Sequence, residues 1–337
     1  MYDIDFFKNT DNLKNKITKG FLKNSDCDNI DVELETLRKK FPYIYNIETT
    51  NYCNMKCVMC PRTKFMTRKN IWIGDQLFEK IISNVKTHDQ KSLEYFWHWV
   101  ENDYDQKVNE VSENGFYFSV ISRHLVLHGF GEPFLDKKLI QRIELCTKKK
   151  IPTYFSCTPA TMTVEKGEKA MEAGLGVLKF SLDAMDERKI KEIRGKKADF
   201  ADSIEKILKL LDTKKKKNFK TLLVPCMIDL AVGPNDVDMH KKFLEFWSDK
   251  DVFAYIKSQD NRYMYENDKD LKSKSHYSKQ YCEYPWLSVS IMADGNVVPC
   301  TQISNHELVL GNINKNTLEE IWNGKKYQEL RRMHISG

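Results

Sequence analysis

From residue 43 onward, short runs of β-branched and aromatic residues alternate with stretches whose apolar positions recur every three or four residues. Six runs read as strands: Tyr45 to Thr50, Leu125 to Gly129, Thr153 to Cys157, Val177 to Leu182, Thr221 to Ile228 and Val252 to Ile256. Between them DQLFEKIISNV from Asp75, DKKLIQRIELCTKK from Asp136, VEKGEKAMEAG from Val164 and ADSIEKILKLL from Ala201 carry helical periodicity. Several open on an acid and one closes on Gly174, as helix ends favour. Strand and helix in alternation imply parallel βα units, and six are too few for the eight of a closed barrel. The fold class expected is therefore α/β, a partial (β/α)6 barrel of parallel strands. In such sheets ligands sit beyond the carboxyl ends of the strands, so reactive residues should follow strands.

Three segments break the rhythm. Residues 1–42 carry charged helical patterns and predict an N-terminal helical extension to a barrel at 43–257. An insert at about 88–120 contains Tyr95, Phe96, Trp97, Trp99 and Tyr104. It reads either as a helical insert with its own small core or as a substrate-facing lid, and His98 within it reads as structural. From Cys282 the chain becomes CEYPWLSVSIMADGNVVPC, with apolar alternation on both sides of Asp294-Gly295, a hairpin signal. The helical stretch TLEEIWNGKKYQELRRM follows, so residues 258–337 predict a small C-terminal hairpin-plus-helix module.

Composition narrows the class. Of 337 residues, 41% are hydrophobic and 12% aromatic, too many for a disordered chain. No apolar stretch approaches the ~20 residues that cross a bilayer, and the opening MYDIDFFKNTDNLKNK has early acids and no apolar signal core. No membrane association and a cytoplasmic address are expected. The net charge of +6 is dispersed, and its one tight run, Lys214 to Lys217, reads as a solvated helix end, so no nucleic-acid partner is expected.

Nine cysteines in a chain of that address point to metal ligands or buried small residues more than to disulfides. Cys53, Cys57 and Cys60 share one short loop, CNMKCVMC, directly after the first strand. Three convergent thiolates can hold three irons of a 4Fe-4S cluster and leave the fourth open to chelation by a small molecule. A structural zinc site usually wants four protein ligands, and a thioredoxin-like site needs two. Downstream, LHGFGEPFLD follows the second strand, SCTPAT ends the third, and FSLDAMDERKIKEIRG follows the fourth.

This C-x3-C-x2-C loop and the motifs after it resemble the radical S-adenosylmethionine (radical SAM) superfamily. The resemblance implies that Cys53, Cys57 and Cys60 hold the cluster, and that S-adenosyl-L-methionine chelates the open iron and is cleaved to a hydrogen-abstracting 5′-deoxyadenosyl radical. It further implies that Gly129, Gly131 and Glu132 receive the SAM amino group. Ser181 would make a polar contact, Arg194 would clasp the SAM carboxylate, and Asp183 would set the loop. Thr158 stands where relatives often carry T-N-G near the ribose, and Met59 stands where an aromatic residue commonly packs near adenine. A one-electron donor such as flavodoxin or ferredoxin is implied as a partner.

Residues 282–334 resemble the SPASM or twitch extension of these enzymes, which carries auxiliary clusters, yet offer only Cys282 and Cys300 as thiolates. A longer natural chain, a degenerate remnant or a further ligand such as His306 would each account for that. Cys146 and Cys226 read as packing residues, and Cys157, at a strand end, could face the site. The expected substrate is a peptide or protein side chain. The alternatives are a small polar metabolite such as a sugar and, in another class, a non-catalytic partner-binding remnant.

Overall fold

In the computed structural model, residues 1–18, 27–108, 110–230, 236–258 and 282–336 are described. Six strands run parallel and in chain order: β1 (Tyr43–Ile47), β2 (Leu125–Val126), β3 (Thr153–Cys157), β4 (Val177–Ser181), β5 (Leu222–Ile228) and β6 (Tyr255–Lys257). The sheet does not close, as expected of a partial barrel. Strand alternation divides its side chains. Leu178 and Phe180 of β4 join Phe155, Cys157, Ile143 and Ile207 in the main core with the helices, whereas Val177 joins Tyr154, Val224 and Cys226 on the inner face.

The strands are trimmed relative to expectation. β1 ends at Ile47, although the Glu48 amide still donates to the Ile291 carbonyl at 2.9 Å, and β2 is only two residues long. The helix expected from Asp136 begins at Leu139, because the Asp136 carboxylate accepts from the Lys138 amide at 2.9 Å and from Arg142 Nε at 2.9 Å. Lys214 to Lys217 form the last turn of the Phe200–Lys217 helix, and Lys214 and Lys217 pair with Asp251 and Glu168.

The insert folds as two helices, Gln90–Tyr104 and Glu113–Arg123, each capped at its start by a side-chain oxygen, of Asp89 and Ser112. Phe96, Trp97, Val100, Phe118 and Ile121 make a second core with Tyr2, Ile4, Phe6 and Phe7 of the N-terminal extension. The helical-insert reading therefore holds. In place of a lid over the strand ends, the second helix lays Phe116 and Val120 against the inner face beside Tyr154, Val177 and Tyr255, near the starts of β3, β4 and β6. It floors the barrel. His98 is exposed and bonded to Asn102 of its own helix.

The C-terminal hairpin is part of the same sheet. β7 (Ser288–Ile291) lies parallel to β1, with Tyr43 opposite Ser288 and Ile47 opposite Ile291. β8 (Asn296–Val298) and β9 (Gly311–Asn312) continue antiparallel. Gly295 takes φ +84° in the turn, a conformation that favours glycine. The Leu318–Asn323 helix opens on a reciprocal capping box between Thr317 and Glu320, and the Lys325–Ser336 helix follows it. Ile321, Trp322, Tyr327 and Leu330 enter the main core.

One buried ion pair joins these parts. Arg68 donates to both oxygens of Glu48 at 2.7 Å, with both side chains 3% exposed. Glu48 also accepts from the amides of Phe130 at 3.3 Å and Ala293 at 3.2 Å, and Arg68 Nε donates to the Ser304 carbonyl at 2.8 Å. Removing one member of a buried pair strands a charge, so Arg68→Met should cost about 3–5 kcal/mol. A Glu48→Leu/Arg68→Met double variant should unfold at higher denaturant than Arg68→Met, which equilibrium denaturation would read.

Candidate active site

Beyond Ile47 the chain runs through Glu48, Thr49 and Thr50 into the cysteine loop, which two sets of bonds hold at the strand ends. The buried Asn51 amide donates to Lys69 O at 2.9 Å and accepts from the Ile71 amide at 2.7 Å, pinning the segment that returns from the loop. On the other side the amides of Lys56 and Val58 donate to the carbonyls of Arg194 (3.3 Å) and Ile193 (2.9 Å), satisfying carbonyls at the end of the Glu187–Arg194 helix. Cys53, Met59 and Cys60 pack with Met55, Cys57, Ala184 and Ile190 in one apolar cluster. Burial pushes the Cys53 thiol up to about 11 and raises that of Cys60. Among the described residues no three His, Cys, Asp or Glu side chains gather into a single-ion site, so the three loop thiols are not drawn onto one point.

The glycines after β2 serve close packing. A Cβ at Gly131 would lie 2.1 Å from the Thr50 carbonyl oxygen, and one at Gly129 would lie 2.8 Å from the Glu48 side chain. The loop thus presses directly on the chain leading into the cysteines, and the next residue, Glu132, donates its amide to Tyr52 O at 2.6 Å. Its buried carboxylate accepts from the Thr158 amide at 2.9 Å and the Phe134 amide at 3.5 Å. Burial nevertheless pushes the carboxyl up to about 7. The bonds it has are too few to hold a buried charge, and a cation beside it would bring its pKa back down.

Asp183 and Arg194 meet across the turn after β4. Asp183 takes a left-handed backbone, φ +61°, which aspartate tolerates better than most residues, and accepts from the Ile228 amide at 2.9 Å. Its other oxygen is ion-paired with Arg194. The guanidinium also donates from Nη1 to Cys57 Sγ at 3.5 Å, while its Nε is buried without a hydrogen-bond partner. Arg194 is thus already turned toward one of the three cysteines. Ser181 sits below this level, its hydroxyl 3.1 Å from that of Ser156. A cavity of about 160 Å³ opens beside the cysteine loop, lined by Val58, Ile193, Ile228, Leu230, Met239 and Asp183 among others.

The other cysteines are placed apart. Cys157, considered as a site-facing residue, is buried among the helix-side core instead, as is Cys146. Cys226 is buried on the inner face. His306 engages the Asp294 carboxylate at 2.9 Å, and it is not gathered with Cys282 and Cys300 into a group of metal ligands among the described residues. Sequence reasoning missed Glu48 and Arg68, although an acid inside the expected strand Tyr45 to Thr50, followed by a stretch with no acid until Asp75, was a readable signal. It also missed the inner-face residues Lys179 and His128.

The sequence profile described as the radical SAM superfamily matches residues 47–246, and that described as SPASM, an iron-sulfur cluster-binding domain, matches residues 282–336. The chain belongs to the radical SAM superfamily. Its cofactors are accordingly a 4Fe-4S cluster and S-adenosylmethionine. Among solved structures, Streptococcus suis SuiB bound to precursor peptide SuiA is 12% identical, with a TM-score of 0.57 covering 89% of this chain and 69% of that one. The structure of anSMEcpe with bound AdoMet is 16% identical, with a TM-score of 0.51 over 87% and 84%. BtrN in complex with AdoMet and 2-DOIA is 16% identical, with a TM-score of 0.48 over 89% of each. No curated protein matches the chain. Among the described residues no helix is long and apolar enough to cross a membrane.

The residues at the strand ends fit the radical SAM cofactors by their chemistry: three thiols on one loop, and a buried carboxylate for which the structure gives no ion pair among the described residues. Since Glu132 ionises near 7 when folded, against 4.5 ordinarily, folding favours its protonated form. That contribution is complete below the ordinary value and is lost as pH rises toward 7. In the cofactor-free chain Glu132→Gln should therefore gain stability relative to wild type as pH rises to about 7 and hold that gain above it. Paired urea titrations across this range would show a pH-independent difference if Glu132 were an ordinary surface acid.

Proposed function

We propose that this radical SAM protein reductively cleaves SAM at a 4Fe-4S cluster held by Cys53, Cys57 and Cys60, and so removes a hydrogen atom from a substrate. The observation that carries the reading is the convergence at the strand ends. The cysteine loop is bonded to the Glu187–Arg194 helix, Arg194 touches Cys57, and the buried Glu132 stands in the adjoining loop with no ion pair among the described residues. When bound, the cluster supplies one electron to SAM, whose 5′-deoxyadenosyl radical takes the hydrogen atom from carbon.

The chain's own residues do the positioning. The Glu132 carboxylate complements the SAM ammonium, and the Thr158 amide orients it from the far side. Asp183 holds the Arg194 guanidinium at the cysteine loop, and Arg194 presents the SAM carboxylate with its unpartnered Nε. Met59 and the cavity beside Val58 offer apolar walls on the scale of a nucleobase. Ser181 contributes a hydroxyl from the inner wall. Glu48 and Arg68 fix the loop on which the cysteines sit. An exposed Lys56 and Val58 beside the cysteines leave the loop reachable by a one-electron donor such as flavodoxin or ferredoxin.

A peptide or protein side chain is the substrate class we favour. The likeness in fold to SuiB, a structure described with its precursor peptide, supports that choice. Each of Cys53→Ala, Cys57→Ala and Cys60→Ala should abolish both the visible cluster absorption and SAM cleavage by the anaerobically reconstituted protein. With wild type and deuterium-labelled cell extract, label should pass into 5′-deoxyadenosine. Label arriving from the peptide fraction supports the favoured class, and label arriving only from small polar metabolites replaces it.

A further inference from the structure

We propose that Lys179, on the inner wall of the barrel, anchors a substrate subsite for an oxyanion, a carboxylate or a phosphate. The inference rests on the radical SAM reading above and names a property of its substrate. Lys179 is 8% exposed and lies in the middle of β4, at an inward position between Val177 and Ser181. Its register partner on β3 is Ser156, whose hydroxyl meets that of Ser181 and whose amide donates to His128 Nδ1 at 3.3 Å. The lysine Nζ lies 5.3 Å from the Tyr255 ring centroid and 5.4 Å from that of Phe116.

What the ammonium lacks is a counter-charge. Three other buried cations are ion-paired: Arg194 with Asp183, Arg68 with Glu48 and Arg142 with Asp136. Among the described residues the groups acting on Lys179 are the Cys226 thiol and the Tyr255 phenol, and no carboxylate pairs with it. Burial opposes its charge, yet these two neighbours hold its pKa above the ordinary lysine value. His128, by contrast, is driven down to about 3 by burial and then by Lys179, and stays neutral. Among the described residues the inner wall therefore carries the Lys179 ammonium with no carboxylate paired to it.

Among the described residues this buried ammonium has as hydrogen-bond partners a phenol and a thiol that stay neutral, Tyr255 and Cys226, which is costly without a counter-charge, and methionine or leucine would fill the same inward position without that cost. A ligand anion removes the penalty. The position also suits a substrate. Lys179 lies two residues before Ser181, roughly 6–7 Å further from the strand ends, and Phe116 of the insert's second helix packs on the side away from them. An anion held there would direct the rest of its molecule toward the cysteine loop and Glu132.

The test is calorimetric titration of the reconstituted, SAM-loaded enzyme with acetate and with inorganic phosphate at constant ionic strength. It compares wild type, Lys179→Met and Lys179→Arg. One of the two anions should saturate the wild type at one site, with affinity falling about ten-fold or more in Lys179→Met and largely kept in Lys179→Arg. Acetate as the binder assigns a carboxylate, and phosphate assigns a phosphorylated substrate. SAM affinity should be equal in all three proteins.

Neither anion saturating the wild type, or undiminished binding in Lys179→Met, overturns the proposal. So does a loss of SAM affinity in Lys179→Met, which would give Lys179 to the cofactor. If the wild type fails to bind SAM, the underlying reading fails instead, and the same titration without SAM still decides Lys179. Should Lys179→Met not fold, a wild-type crystal soaked in each anion decides: density within hydrogen-bond distance of Nζ supports the subsite, and density absent from that position refutes it.

Discussion

The carboxylate of Glu48 is the point on which four parts of the chain agree. It stands one residue past β1, accepts both forks of Arg68 from the far side of the cysteine loop, and takes amides from the glycine loop and from the C-terminal hairpin. A fully buried bidentate pair tolerates little displacement, because either partner left alone would be a charge in a low-dielectric interior. The cysteines are thereby located by a bond to which none of them contributes. The same carboxylate sets the room available to Gly129, whose missing Cβ is the condition for the loop to pass.

Charge at the strand ends follows a different logic. Asp183 and Arg194 neutralise each other and turn the guanidinium toward sulfur, so that this part of the site is preorganised. Glu132 is held by the Thr158 and Phe134 amides and the Thr161 side chain, and burial still pushes its carboxyl up to about 7. The first arrangement balances its charge within the chain and leaves only the buried Arg194 Nε without a hydrogen-bond partner. The second is a buried carboxylate whose protonation responds to its surroundings, because desolvation and hydrogen bonding act on it in opposite directions.

Much of this was legible in the sequence, because parallel βα units announce themselves by period. Val177 to Ser181 and Thr153 to Cys157 are apolar enough to read as strands on their own, and Asp294-Gly295 marks its turn by residue type. The order of CNMKCVMC, GFGEP and SLD along the chain likewise pointed to the ends of β1, β2 and β4, where the structure places these segments. What period cannot show is which face a long connection will cover. Phe116 belongs to an insert whose aromatic residues gave no sign that they would split between a second core and the barrel floor. Lys179 was hidden for a related reason, since one lysine inside an otherwise apolar strand leaves the period intact. Pairings between distant segments, Glu48 with Ala293 or Arg68 with Ser304, have no local signature at all.

The lateral placement of β7 has a consequence for how the chain is made. β1 has two neighbours in the finished sheet, β2 and β7, and Ser288 must find Tyr43 after every other parallel strand has been synthesised. Until then one edge of β1, with its apolar Ile44 and Ile47, offers unpaired backbone groups to any strand that approaches. Contacts of such long sequence separation form slowly and leave partly assembled sheets open to association. The nascent barrel is thus a species that benefits from protection during translation, and its cysteine loop hangs from that same unfinished strand.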